Sequence, residues 1–153
     1  MGLFNFLTQE IAIDLGTANT LIIHNDQVVV DEPSIVAKDR TTNKIVAVGK
    51  KAMMMHEKTH ENLKTIRPLK DGVISDYTVT EKMLKYFISK VSDKITINPR
   101  IMICVPSGVT EVEKKAFFDL FYKSRFKPRN VLLCEKPIAD AVGLELDVNS
   151  PTG

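Results

Sequence analysis

Between two short apolar runs lies Asp14-Leu15-Gly16-Thr17-Ala18-Asn19-Thr20, the segment of this chain best equipped for chemistry. Gly16 gives the backbone conformational freedom there, and successive N–H groups in such a turn form a concave nest for an anion. Asp14, closing the first run, offers a carboxylate that can hold a hydrated divalent cation. Magnesium keeps several waters and takes only one or two carboxylates beside phosphate oxygens. Thr17, Asn19 and Thr20 can donate further hydrogen bonds. These residue types suit a turn that receives phosphate with magnesium. They suit equally a tight hairpin that holds no ligand, and spacing alone does not separate the two.

A second pattern competes. His56-Glu57-Lys58-Thr59-His60 fits H-E-x-x-H, in which two histidines four apart on a helix bind zinc and the glutamate acts as general base. A catalytic zinc needs a third protein ligand, and the only other histidine, His24, lies far upstream in a predicted strand. The flanks are polar and Lys-rich, so a solvated helix-to-loop segment is the better reading than a zinc peptidase. Cys104 and Cys134 sit inside apolar runs and are expected as buried, reduced thiols rather than a disulfide.

These residues belong to a chain of 153 residues, 44% hydrophobic and 26% charged. That is ordinary globular composition and enough for a core without staples. The net charge of +2, from 21 basic and 19 acidic residues, excludes the strongly basic balance of a dedicated nucleic-acid binder. No apolar run approaches the roughly 20 residues of a membrane helix. Residues 1–7 lack a basic n-region and fail the myristoylation pattern at Phe6. Their Leu3, Phe4, Phe6 and Leu7 either dock on the protein or dip into a membrane surface.

The elements that must position the turn follow from period and punctuation. Residues 11–14 and 20–24 read as strands. Asn25-Asp26 is a two-residue turn, and 27–30 is its hairpin partner, closed by Pro33. Residues 35–37 and 45–48 form a second hairpin, 50–57 a short helix, and Pro68 and Gly72 bracket a loop. The period then changes. Thr78-Val79-Thr80-Glu81 reads as a capping box, followed by the helical stripe Met83, Leu84, Phe87, Ile88 and Val91. Residues 100–105 are nearly all apolar, as for a strand buried on both faces. Thr110 and Glu113 open a second capped helix to about 124, residues 131–134 form another strand, and Pro137 suits the first turn of a helix over 138–146. Phe117, Phe121 and Tyr122 are placed on that capped helix's core stripe with Val112, Ala116 and Leu120. Phe118 and Phe126 fit the stripe poorly, and a protein–protein contact competes there with a thick core. Three meander strands with an inserted hairpin and helix, then α-β-α-β-α, imply a mixed sheet covered by helices.

Glu10 to Leu21 resembles the first phosphate motif of the MreB proteins, the bacterial actins. The resemblance continues through Asp31-Glu32-Pro33-Ser34-Ile35-Val36-Ala37, Ala47-Val48-Gly49-Lys50, Ile66 to Ile74, Thr80 to Leu84 and Cys104-Val105-Pro106-Ser107-Gly108-Val109-Thr110. It implies an α/β fold, the ribonuclease-H-like lobe of actin. Residues 1–33 and 72–153 would form an incomplete subdomain IA, and 34–71 a small inserted α+β subdomain IB. Asp14 would hold magnesium through water, and the backbone of Gly16, Thr17, Ala18 and Asn19 would cradle the phosphates of ATP. The work implied is assembly with other copies into filaments at the inner, cytoplasmic face of the cell membrane, guiding cell-wall growth and rod shape. Cell-elongation membrane proteins would be partners, with residues 1–7 or the loop at 92–98 (Ile95, Ile97) touching the membrane; nucleic acid would not be a partner.

One departure stands out. Relatives carry a glutamate just before the proline matching Pro137, where it helps position the attacking water. This chain has Lys136 there, which cannot act as a carboxylate base. Glu135 is one residue off, and adjacent strand residues point to opposite faces, so it substitutes only if the stretch is a turn. Asp140 offers Lys136 an i,i+4 partner. In relatives the glycine matching Gly153 precedes the second phosphate loop. The resemblance thus implies one jaw of a two-jawed nucleotide site, with weak or absent ATP binding and no ATPase activity alone. A lobe that docks to partners without nucleotide is the alternative.

Overall fold

A computed structural model describes residues 10–57, 61–91, 98–123 and 127–148. Strands β1 (Glu10–Leu15), β2 (Asn19–His24) and β3 (Gln27–Pro33) form the expected meander. Asn25 and Asp26 both take positive φ (50° and 58°), the backbone a two-residue hairpin turn requires. β9 (Arg100–Val105) and β10 (Asn130–Glu135) add in parallel to the other edge of β1, giving the order β10-β9-β1-β2-β3. Helices α2 (Tyr77–Ser89) and α3 (Glu111–Tyr122) pack onto one face of this sheet. Their Met83, Phe87, Phe117 and Phe121 share a single core with Ile13 and Ile103 of the strands. α4 (Lys136–Gly143) follows β10 directly and buries none of its residues.

The insertion forms a second, three-stranded sheet, β5-β4-β6, from β4 (Val36–Asp39), β5 (Ile45–Val48) and β6 (Leu63–Ile66), with α1 (Lys50–Glu57) against it. Ile35, Ala37, Ala47 and Ala52 make its small separate core. Its β6, and the two-residue strands β7 (Leu69–Lys70) and β8 (Val73–Ile74), stand in and beside the expected loop. The β7–β8 turn is Asp71-Gly72, both at positive φ, so the Asp-Gly hairpin signal accounts for it.

Three expectations are corrected. α2 begins earlier than the Thr78 box: Asp76 is the N-cap, its Oδ1 accepting from the Val79 N–H at 3.0 Å. Asp and Thr both cap well, and the chain enters helical geometry at the first of them. β9 alternates between buried and open residues instead of being buried on both faces, because α2 and α3 roof only the side of Ile101, Ile103 and Val105. Cys104 and Cys134 are register neighbours on the other side. They are free and only partly buried, and burial pushes the Cys104 thiol up, with help from the nearby Asp14 carboxylate.

The capping box of α3 is as expected, with Thr110 and Glu113 each bonding the other's backbone. Phe117 and Phe121 fill the core, and Phe118 packs against it from a partly buried position. Val112 and Tyr122 are exposed, so the stripe is narrower than the spacing suggests. Residues 1–7, Phe126, Ile95 and Ile97 lie outside the described residues.

Candidate phosphate site

The three parallel strands β1, β9 and β10 end on one side of the sheet, and the turns that leave them gather there. Ligands of open α/β sheets bind at such carboxyl ends. The turn of residues 15–19 is closed by the Gly16 N–H donating to the Asn19 carbonyl at 3.0 Å. Gly16 is needed here for close approach: an added Cβ would lie 2.5 Å from the Asn19 carbonyl oxygen. Ser34 clamps the turn from below. Its N–H reaches the Ala18 carbonyl at 2.8 Å, and its hydroxyl donates to the Gly16 carbonyl at 2.7 Å. With that proton committed, the buried Thr20 hydroxyl is the donor in the 2.9 Å bond between Thr20 Oγ1 and Ser34 Oγ. On the outer side, the Gly72 N–H donates to Thr17 Oγ1 at 2.9 Å, and Arg67 Nη1 donates to the Ala18 carbonyl at 3.2 Å. Among the described residues, the N–H groups of Thr17 and Ala18 have no hydrogen-bond partner.

The turn is therefore rigid in its carbonyls and open in two of its amides, which is the arrangement an anion nest requires. Arg67 sets a guanidinium over it, and sequence reasoning assigned no role to Arg67 or Ser34. The signal available was local: a hydroxyl residue immediately after Pro33, and a lone arginine before Pro68. The Asn19 side-chain amide donates to Asp31 Oδ1 at 3.2 Å.

Asp14 and Lys136 meet in this structure. The Lys136 ammonium lies 2.8 Å from Asp14 Oδ1, with about a third of each side chain exposed. That oxygen is itself shielded from water and makes no directional hydrogen bond, so the ammonium is its partner. Lys136 thus reaches across the sheet to Asp14 rather than along α4 to Asp140. A magnesium ion held through Asp14 would have to share the carboxylate with a full positive charge at hydrogen-bonding distance. The residues present do not fit the divalent cation that the resemblance implies.

Glu135 does not make good the missing carboxylate. It remains strand to the end of β10 and serves as the N-cap of α4 with no side-chain capping bond. Strand alternation puts it on the face opposite Cys134 and Asp14. It joins there in raising the Lys114 ammonium above the usual lysine range, an effect owed first to the Lys114–Glu111 hydrogen bond. His56 bonds Thr65 Oγ1 through Nδ1 at 2.7 Å, tying α1 to β6, and His60 lies outside the described residues.

A family model described as MreB/Mbl protein matches residues 8–153. The cell shape-determining protein Mbl of Bacillus cereus is 47% identical over 147 residues, covering 95% of this chain and 44% of that protein. The cell shape-determining protein MreB of Haemophilus influenzae is 45% identical over 159 residues, covering 99% of this chain and 44% of that protein. The chain therefore spans less than half the length of the curated relatives it matches. Among solved structures, MreB5 of Spiroplasma citri bound to ADP superposes with a TM-score of 0.84 at 33% identity, over 96% of this chain and 44% of that one. The MamK double helical filament superposes with a TM-score of 0.74 over 90% of this chain and 44% of that one; at 18% identity this is a likeness of fold.

Proposed function

Since the chain belongs to the MreB/Mbl family, with the mixed α/β sheet of the actin fold, we propose that it supplies the phosphate-gripping lobe of a cell shape-determining filament protein. In this reading residues 34–71 are the peripheral subdomain and the remainder is the lobe that faces nucleotide. Copies assemble into filaments at the inner face of the cell membrane, where cell-elongation membrane proteins are their partners.

The observation that carries the reading is the turn of residues 15–19. Its carbonyls are held by Ser34 and Arg67, its Thr17 hydroxyl by the Gly72 N–H, and two amides are left free at the carboxyl end of three parallel strands. The shared chemistry is recognition of a nucleoside di- or triphosphate, and MreB5 of Spiroplasma citri has been crystallised with ADP. No hydrolytic step is assigned to this chain: Lys136 stands where a carboxylate is expected, and Glu135 faces away.

The test is an amide NMR titration of the chain with ADP. The Thr17 and Ala18 signals are expected to move while those of Asn25 and Asp26, at the opposite end of β2, stay. Shifts that spare the turn would leave the alternative, a lobe that docks to partners without nucleotide. The membrane part is tested by liposome flotation with and without residues 1–7; equal flotation removes it.

A further inference from the structure

We propose that the Lys136 ammonium is a tethered stand-in for the divalent cation at Asp14. The phosphate site of this chain then accepts metal-free nucleotide polyphosphate instead of its magnesium complex. The inference rests on the phosphate-binding reading above and changes what that site takes.

Three observations point the same way. The first is the pair itself, Lys136 Nζ to Asp14 Oδ1 at 2.8 Å, on an oxygen closed off from water. With the ammonium on it, Asp14 itself presents no net negative charge to a dication, and the Asp140 carboxylate, felt at the same Cys104 thiol, is the remaining anion nearby. The second is where Lys136 sits. It is the first residue of α4, and no acidic residue occupies that first turn. A cation at a helix N-terminus opposes the macrodipole, so the position is unfavourable unless an anion lies opposite. Asp14 is that anion in the free chain, and a phosphate can take over the role. The third is that the ammonium passes over Asp140, the carboxylate one helical turn along its own helix, and reaches across β9 to β1. Pro137 fixes φ in the first turn, and β10 runs straight into α4.

The cationic groups of the site are then both side chains. Arg67 lies over the turn at Ala18, and Lys136 lies at the strand end beside it. A polyphosphate entering the free amides of Thr17 and Ala18 would find charge compensation already covalently attached.

Manganese, as a paramagnetic probe in amide NMR without nucleotide, tests the proposal on the chain as it exists. In the unmodified chain, the amides of Leu15, Gly16 and Thr17 should broaden no more than those beside exposed surface carboxylates. Lys136→Gln should create selective broadening at those three amides, Lys136→Gln combined with Asp14→Asn should abolish it, and Lys136→Arg should behave like the unmodified chain. Equal broadening with and without Lys136 would overturn the proposal, as would a folded Lys136→Gln chain that gains no site. A second arm compares ADP affinity in magnesium with that in chelator. The ratio should be near one for the unmodified chain and should favour magnesium several-fold for Lys136→Gln; a several-fold magnesium preference in the unmodified chain would also overturn it. If ADP binds to neither, the phosphate-binding reading fails, while the manganese arm still decides what Lys136 does at Asp14.

Discussion

Glu32 shows how one residue couples the two sheets. Its carboxylate is nearly buried at the end of β3. It receives the Lys90 ammonium on Oε1 and the Lys50 N–H on Oε2 at 2.7 Å. The second bond places an anion on the first amide of α1, where the helix dipole favours it. Burial pushes the Glu32 carboxyl up, but the bonds from Lys90 and Lys50 outweigh it and hold the group below the usual glutamate range. A carboxylate held low contributes stability above its unfolded pKa of about 4.5 and loses it as pH falls through the folded value. Glu32→Gln should therefore cost about 1–2 kcal/mol at pH 7, measured by urea unfolding, and the gap to the unmodified chain should narrow as pH falls below the unfolded value of 4.5. A gap that stays constant down to pH 3 would mean the charge on Glu32 is irrelevant. Sequence reasoning read Glu32 only as part of a family segment, because its partners lie 18 and 58 positions away. The Asp14–Lys136 pair was missed for the same reason, while the turn of residues 15–19 was legible because all its determinants are local.

At the scale of elements, hydrophobic period gave reliable existence and unreliable edges. The stripe of Met83, Leu84, Phe87, Ile88 and Val91 is buried throughout, since apolar spacing is set by the face that must be covered. The start of α2 was misplaced because Asp76 and Thr78 compete as caps, and only the three-dimensional turn decides between them. Here Asp76 also accepts, through its carbonyl, the buried Thr80 hydroxyl at 2.7 Å, while Thr78 is exposed. Asp76→Ala is expected to cost about 1 kcal/mol and Thr78→Ala less than about 0.5 kcal/mol, read from thermal unfolding midpoints. The reverse order would restore Thr78 as the cap. β6 escaped notice for a related reason: Leu63 to Ile66 is short and half exposed, and its pairing with β4 across the insertion is a tertiary fact that local propensity does not carry.

Among the described residues, the five-stranded sheet is one-sided. α2 and α3 close one face of the five-stranded sheet, and the other carries a row that crosses every strand: Leu132, Met102, Ala12, Ile23 and Val28 are successive register partners. Leu132 is 52% and Val28 60% exposed, and a groove of ≈ 550 Å³ runs over the middle of the row, rimmed by Glu10 and Arg100. Reading β9 as buried on both faces was a misjudgement of this asymmetry. Met102 and Cys104 are apolar enough to be roofed, but period alone does not say whether a roof is present. Contiguous apolar surface of this kind binds hydrophobic probes, so an anilinonaphthalene dye should fluoresce on the natively folded chain. Met102→Lys combined with Leu132→Lys should remove most of that signal while shifting stability by less than about 1 kcal/mol, since neither side chain is in the core. Ile103→Ala, one residue along on the roofed face, should instead cost about 2–5 kcal/mol. If the lysine pair unfolds the chain as severely as Ile103→Ala, the face is packed rather than open, and the one-sided description of the sheet is wrong.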